Sequence, residues 1–191
     1  IVEAQELMDK REYADARDHL LKLRGSDALA MKSAHIAYLL AICCDYLEDF
    51  EMAMGFIEEA LRAEPLAVPF NRSFDIIVDR IRKALTSEDR PADDASIPKL
   101  YELLARSAEA DMESHLVMAR YHALNGNHAA ALRLLEAVTT LDPTNRKAWT
   151  LLAEVARAEG NQELAAAAAV EAANLGDEAL PLFAIPGRAE G

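Results

Sequence analysis

Apolar side chains fall at helical spacing in ten stretches of the chain, separated by short polar, glycine-bearing or proline-bearing breaks. The pattern predicts helices over about 1–9, 12–24, 28–47, 50–63, 69–86, 96–109, 112–124, 128–140, 146–158 and 162–174. Ser96 is placed to cap its helix, with Pro98 in the first turn. Ala165 to Ala169 are five consecutive alanines, which favour helix and let a neighbouring helix approach closely. Ile1 to Met8 already reads as the inside of a helix, so the chain is expected to be a fragment or a processed chain. A signal or anchor upstream would be invisible, so the compartment is expected to be the cytoplasm with the periplasm left open.

The helices repeat. Gly126 and Asn127 recur as Gly160 and Asn161, and Ala119 and Ala131 recur as Ala153 and Ala165, all 34 residues on. His115 is matched by Trp149 and Met118 by Leu152 at the same offset. Ala119 and Ala131 are small, as two closely crossing helices require. Gly126 and Asn127 stand between helical stretches, and either residue type tolerates the left-handed backbone that ends a helix. Pro143 stops the second helix. The frame reaches upstream. Ala41, Ala53 and Pro65 precede Ala119, Ala131 and Pro143 by 78 residues, which is two repeats and ten extra residues. The extra length falls in the polar acidic stretch 86–96. Ala16 precedes Ala53 by 37, which places one more helix pair at the start of the chain.

These residues resemble the tetratricopeptide repeat family, whose unit is a 34-residue helix pair. Trp149, Leu152, Ala153, Gly160, Ala165 and Ala172 fit its pattern, as do Leu40, Ala41, Phe50, Ala53, Ala60 and Pro65. His122 and Ala156 stand where tyrosine is usual, Asp177 replaces the last proline, and the stretch from Val68 to Ala110 keeps almost none of the signature. The resemblance implies an all-α, right-handed superhelical solenoid of about five antiparallel helix pairs. Its units are 1–33, 34–67, 68–111 with the loop 86–96 inserted, 112–145 and 146–177. The tail 178–191 is apolar but interrupted by Pro181 and Pro186, and is expected to cover the end of the stack or to act as a linker.

In such arrays stacking supplies the core that no single pair can bury, and the concave side offers a long surface to a peptide. The resemblance implies that His35, Tyr38, Ile42, Asp45 and Tyr46 face that side in the second unit. In the fourth, Glu113, Leu116, Arg120, Ala123 and Leu124 do so. In the fifth, Lys147, Thr150, Glu154, Arg157 and Ala158 do so. The first set suits apolar anchors. Arg120, Lys147 and Arg157 gather positive charge that suits a carboxylate or acidic side chain. The alternative is a solvated charge set in which Glu154 and Glu113 partly neutralise Arg157 and Lys147. A carboxylate clamp of the kind one subfamily uses is not expected, because Tyr38, Ile42, Leu116 and Arg120 occupy positions that would need lysine or asparagine.

Composition narrows the field. With 20 basic and 33 acidic side chains the net charge is -13, which repels nucleic-acid backbones and anionic lipid surfaces. No apolar run reaches the roughly 18 residues of a membrane span. Two cysteines exclude a disulfide scaffold. The seven glycines form no phosphate-binding loop, and neither a G-x-S-x-G elbow nor an H-E-x-x-H pair occurs. His115 and His122 are two helical turns apart, roughly 10 Å, too far for an adjacent-turn metal pair. Cys43 and Cys44 read as core residues, Trp149 as a packing residue, and Glu88 to Asp94 as a solvated acidic loop.

The expectation is therefore a non-catalytic protein-interaction scaffold or adaptor that takes a protein or peptide partner and needs no cofactor and no metal. A bacterial assembly complex is a setting by analogy only. The alternatives are a secretion-type chaperone shielding a client segment, and the interaction domain of a larger enzyme or regulator. Self-association through the apolar tail is a further expectation.

Overall fold

A computed structural model describes residues 1–24 and 32–176. The described residues form ten helices: α1 (Val2–Asp9), α2 (Tyr13–Arg24), α3 (Ser33–Tyr46), α4 (Phe50–Ala63), α5 (Val68–Leu85), α6 (Ile97–Arg106), α7 (Met112–Leu124), α8 (His128–Leu141), α9 (Arg146–Ala158) and α10 (Gln162–Asn174). No strand occurs among them. The start of the predicted 28–47 helix at 28–31 lies outside the described residues. So does the tail from 177 onward, with the covering and self-association expected of it. The all-α class and the helix order are as the periodicity predicts, and apart from the start of α3 the helix ends coincide with the predicted ones or differ by one to three residues. The largest displacement is at α6, which stops at Arg106 because Ala108 adopts φ 58°.

The turns share one device. Arg11, Glu48, Gly126 and Gly160 each have a positive φ (64°, 58°, 72° and 87°) and each ends the first helix of a pair. Glu48 follows Arg11 by 37 residues and precedes Gly126 by 78, the same offsets that relate the alanines of the repeats. The following helix then starts on a side-chain cap after two of these turns. Asp49 accepts from the Met52 amide at 3.3 Å, and Asn161 from the Leu164 amide at 3.1 Å. Asn145 does the same for α9, accepting from the Ala148 amide at 3.1 Å. Ser96 differs from expectation. Its hydroxyl makes no cap bond but donates to Asp94 at 2.6 Å, while Pro98 does sit in the first turn. The loop 86–96 is folded around Arg90. Its Nε donates to the Ala84 carbonyl at 2.7 Å, and its Nη1 reaches Asp94 at 3.0 Å and the Ser96 hydroxyl. Glu88, Asp89 and Asp93 remain exposed, as read from the sequence.

The chain divides into two compact units, 1–81 and 82 onward, with the division inside α5. In the first unit α1 packs on α2, α2 on α3 and α3 on α4. Ala16, Leu20, Leu40, Ala41, Ala53, Ile57 and Ala60 have no exposed surface. The small residues of the repeat stand where these helices meet. In the second unit α6 packs on α7, α7 on α8, α8 on α9 and α9 on α10, and α7 also touches α9. Its core joins Leu116, Ala119, Ala131, Leu135, Val138, Leu152, Val155 and Ala168, with Trp149 packed against it. Trp149 also donates its indole N–H to the Pro143 carbonyl at 2.9 Å, which ties α9 to the turn before it. Of the five alanines, Ala165 and Ala168 are buried and the other three are exposed.

Candidate partner-binding faces

Along α3 the expected contact residues follow one another at helical spacing. His35, Tyr38 and Ile42 are half-buried, Asp45 is buried and Tyr46 is 55% exposed. Their neighbours come from α2 and α5. Tyr38 stacks on Phe70 with ring centroids 4.8 Å apart, and His35 lies 5.9 Å from Tyr38. Tyr46 lies flat against Tyr13, 4.1 Å apart and 4° from parallel. Asp45 accepts from Arg80 Nη1 at 2.7 Å, and the Arg80 guanidinium carbon lies 5.8 Å from the centre of the Tyr46 ring. Burial pushes the Asp45 carboxyl above the usual carboxylate range while Arg80 pulls it back. Asp45 thus turns almost no surface outward. The group it holds is the half-buried Arg80.

In the second unit the expected residues lie on α7 and α9, which touch each other. Leu116 and Ala123 are buried in the core, and Leu124, Thr150 and Ala158 are half-buried. Glu113 and Lys147 are exposed and approach to 4.0 Å. Burial lowers the pKa of Arg120 and raises that of Glu154. Glu154 opposes the first shift, and Arg157 and Arg120 oppose the second. The three cations gathered by sequence therefore share two carboxylates: Lys147 meets Glu113, and Glu154 lies within electrostatic reach of Arg120 and Arg157. A carboxylate brought to these cations would compete with the ones already present.

Cys43 and Cys44 are both fully buried. Burial pushes their thiols up to about 12 and about 11. At such values the thiolate that carries redox and metal chemistry is scarce. His115 Nδ1 is 2.6 Å from the Asp111 carbonyl oxygen, and its ring meets Tyr101 edge-on. His122 is half-buried, and burial, then Arg133, holds its pKa below the usual value. Among the described residues no group of three or more His, Cys, Asp or Glu side chains is placed to hold a metal ion. No helix among them is long and apolar enough to cross a membrane.

Two contacts were not singled out by the sequence reading. His128, buried at the start of α8, pairs with Glu159 after α9 at 3.2 Å. Tyr13, at the start of α2, meets Tyr46 at the end of α3. The repeat offsets relate Tyr13, Phe50 and His128 by 37 and 78 residues. Tyr13 and His128 therefore hold the same seat, the first residue of a second helix, pressed against the end of the next first helix. The period was the signal that could have found them.

Residues 112–155 match the tetratricopeptide repeat family, so α7, α8 and most of α9 carry that repeat. No curated protein matches the chain. Among solved structures, the MamA RS-1 ArsTM double mutant is 14% identical over 90% of this chain and 89% of that one, with a TM-score of 0.40. MamA 41-end from Desulfovibrio magneticus RS-1 is 14% identical over 90% of both chains, also at 0.40. MamA MSR-1 C2 is 15% identical over 91% of this chain and 92% of that one, at 0.39.

Proposed function

We propose that the chain is a non-catalytic protein-interaction module, and that α7 and α9 present the face that reads a partner segment. The observation that carries this reading is the placement of Glu113, Arg120, Lys147 and Glu154 on the touching first helices of two successive repeats. Lys147 is 62% exposed, yet the helices beneath it are fixed by a closed core. A rigid platform with partly exposed charges recognises a segment without a large ordering penalty of its own. The cations outnumber the carboxylates on this face by three to two, so the segment it suits carries an acidic side chain or a terminal carboxylate.

The test requires a partner that binds the purified protein at a defined stoichiometry. Reversing two charges, in the double variant Arg120→Glu and Lys147→Glu, is expected to weaken that complex at least about tenfold, near the 1.4 kcal/mol that one charge-assisted contact supplies. Titration calorimetry reads this directly. An unchanged affinity removes the α7 and α9 face from the binding site.

A further inference from the structure

We propose that Arg80, Tyr46 and Tyr13 form a second recognition point, a carboxylate-binding site for an acidic side chain of a protein partner. The proposal rests on the reading of the chain as an interaction module, but uses none of the residues of α7 and α9. Three observations in the first unit support it. Arg80 is held at two sides: its Nη1 bonds Asp45 at 2.7 Å, and its carbon lies 5.8 Å from the Tyr46 ring centre. Asp45 is buried and cannot itself meet a partner, and one of its oxygens has no hydrogen-bond partner among the described residues. The Arg80 side chain keeps 32% of its surface, and its other N–H donors make no hydrogen bond among the described residues.

The arrangement separates anchoring from recognition. A guanidinium carries five donors in a planar fork, and here the buried carboxylate takes Nη1 while the side chain keeps part of its surface. The rotamer entropy that a free arginine loses on binding has already been lost on folding. Tyr46, 55% exposed and braced flat against Tyr13, supplies a wall beside the fork. Arg11 adds a second cation within electrostatic reach of Tyr13, while Glu48 is the acidic group that bears on Asp45. The Arg80 charge is shared with Asp45, so what the site offers an incoming carboxylate is the guanidinium's unused donors, in a chain whose net charge of -13 otherwise repels anions. The flat ring wall favours a carboxylate borne on a chain, which a side chain of a protein partner supplies.

The probe is the peptide acetyl-Asp-Glu-Asp-amide, titrated into the full chain. Its control is the isosteric acetyl-Asn-Gln-Asn-amide, and inorganic phosphate forms a third arm. Tyrosine ring and arginine Nε–H resonances are followed by NMR. The expected result is saturable shifts at Tyr13, Tyr46 and Arg80 with the acidic peptide and none with its control. Affinity should fall at least about fivefold in Tyr46→Ala, a surface change, and in Arg80→Lys, which keeps a cation for Asp45 but loses the fork. Equal shifts with both peptides, no shift, or unchanged affinity in both variants would overturn the site. Tighter binding of phosphate than of the acidic peptide overturns the carboxylate assignment. Shifts confined to the α7 and α9 residues sink this site and leave the proposed function standing, whereas shifts at neither face count against both.

Discussion

Gly126 and Gly160 show how little one atom need do to set a turn. A Cβ built at either position meets nothing within 4 Å, so only the backbone resists substitution. Gly160→Ala is expected to lower stability by about 1 kcal/mol, the strain of a left-handed non-glycine residue. Glu48 already bears that strain at the matching turn, with φ 58°. Glu48→Gly should therefore raise the melting temperature, and a scan in which both changes lower it would refute the equivalence of the two turns. The sequence made Gly126 and Gly160 visible but hid Arg11 and Glu48, because a residue type that merely endures a conformation leaves no signature. Arg80 was hidden for a related reason. It belongs to the stretch from Val68 to Ala110, where the repeat pattern is nearly absent, and its role depends on Asp45, 35 residues away.

Helix ends gather charge as well as hydrogen bonds. Asp111 caps α7, accepting from the Ser114 amide at 2.9 Å and its hydroxyl at 2.6 Å, and pairs with Arg82 Nε at 3.0 Å. Burial works against its charge, but the Ser114 bonds and Arg82 outweigh burial and hold its pKa below the usual range. A carboxyl lowered in the folded state contributes stability above its unfolded value of about 3.9, and loses it as pH falls through the folded value. Asp111→Asn keeps a capping oxygen but loses the charge that faces Arg82 and the helix N-terminus, and should cost about 1 kcal/mol near neutral pH. The difference from the parent should shrink below about pH 4 in denaturant titrations, and a gap that stays constant to pH 2 would exclude this carboxylate as its source. Periodicity located every described helix because burial imposes a repeating apolar face. It placed the ends less well, since Ser96, Asp94 and Arg90 settle the start of α6 through a local network that spacing alone does not encode.

Each helix pair owes its core to its neighbours, so damage should stay near its origin. Leu152 is 1% exposed at the centre of the second core, and Leu152→Ala should cost about 2–5 kcal/mol. Hydrogen exchange is expected to quicken across α7 to α10 while α3 and α4 keep their protection. Uniform loss of protection would show one cooperative body instead of coupled neighbours. The face on α7 and α9 was legible in outline, because the 34-residue frame names its positions. What the frame did not supply was the pairing of its charges, since partners such as Glu113 and Lys147 meet only after two repeats stack. The two native thiols have a practical corollary. Sealed side by side within α3 and held in their protonated form, they leave the outside of the chain chemically silent toward maleimides. A single cysteine placed on any surface of interest becomes the one address a label can find, with no need to strip the parent sequence first.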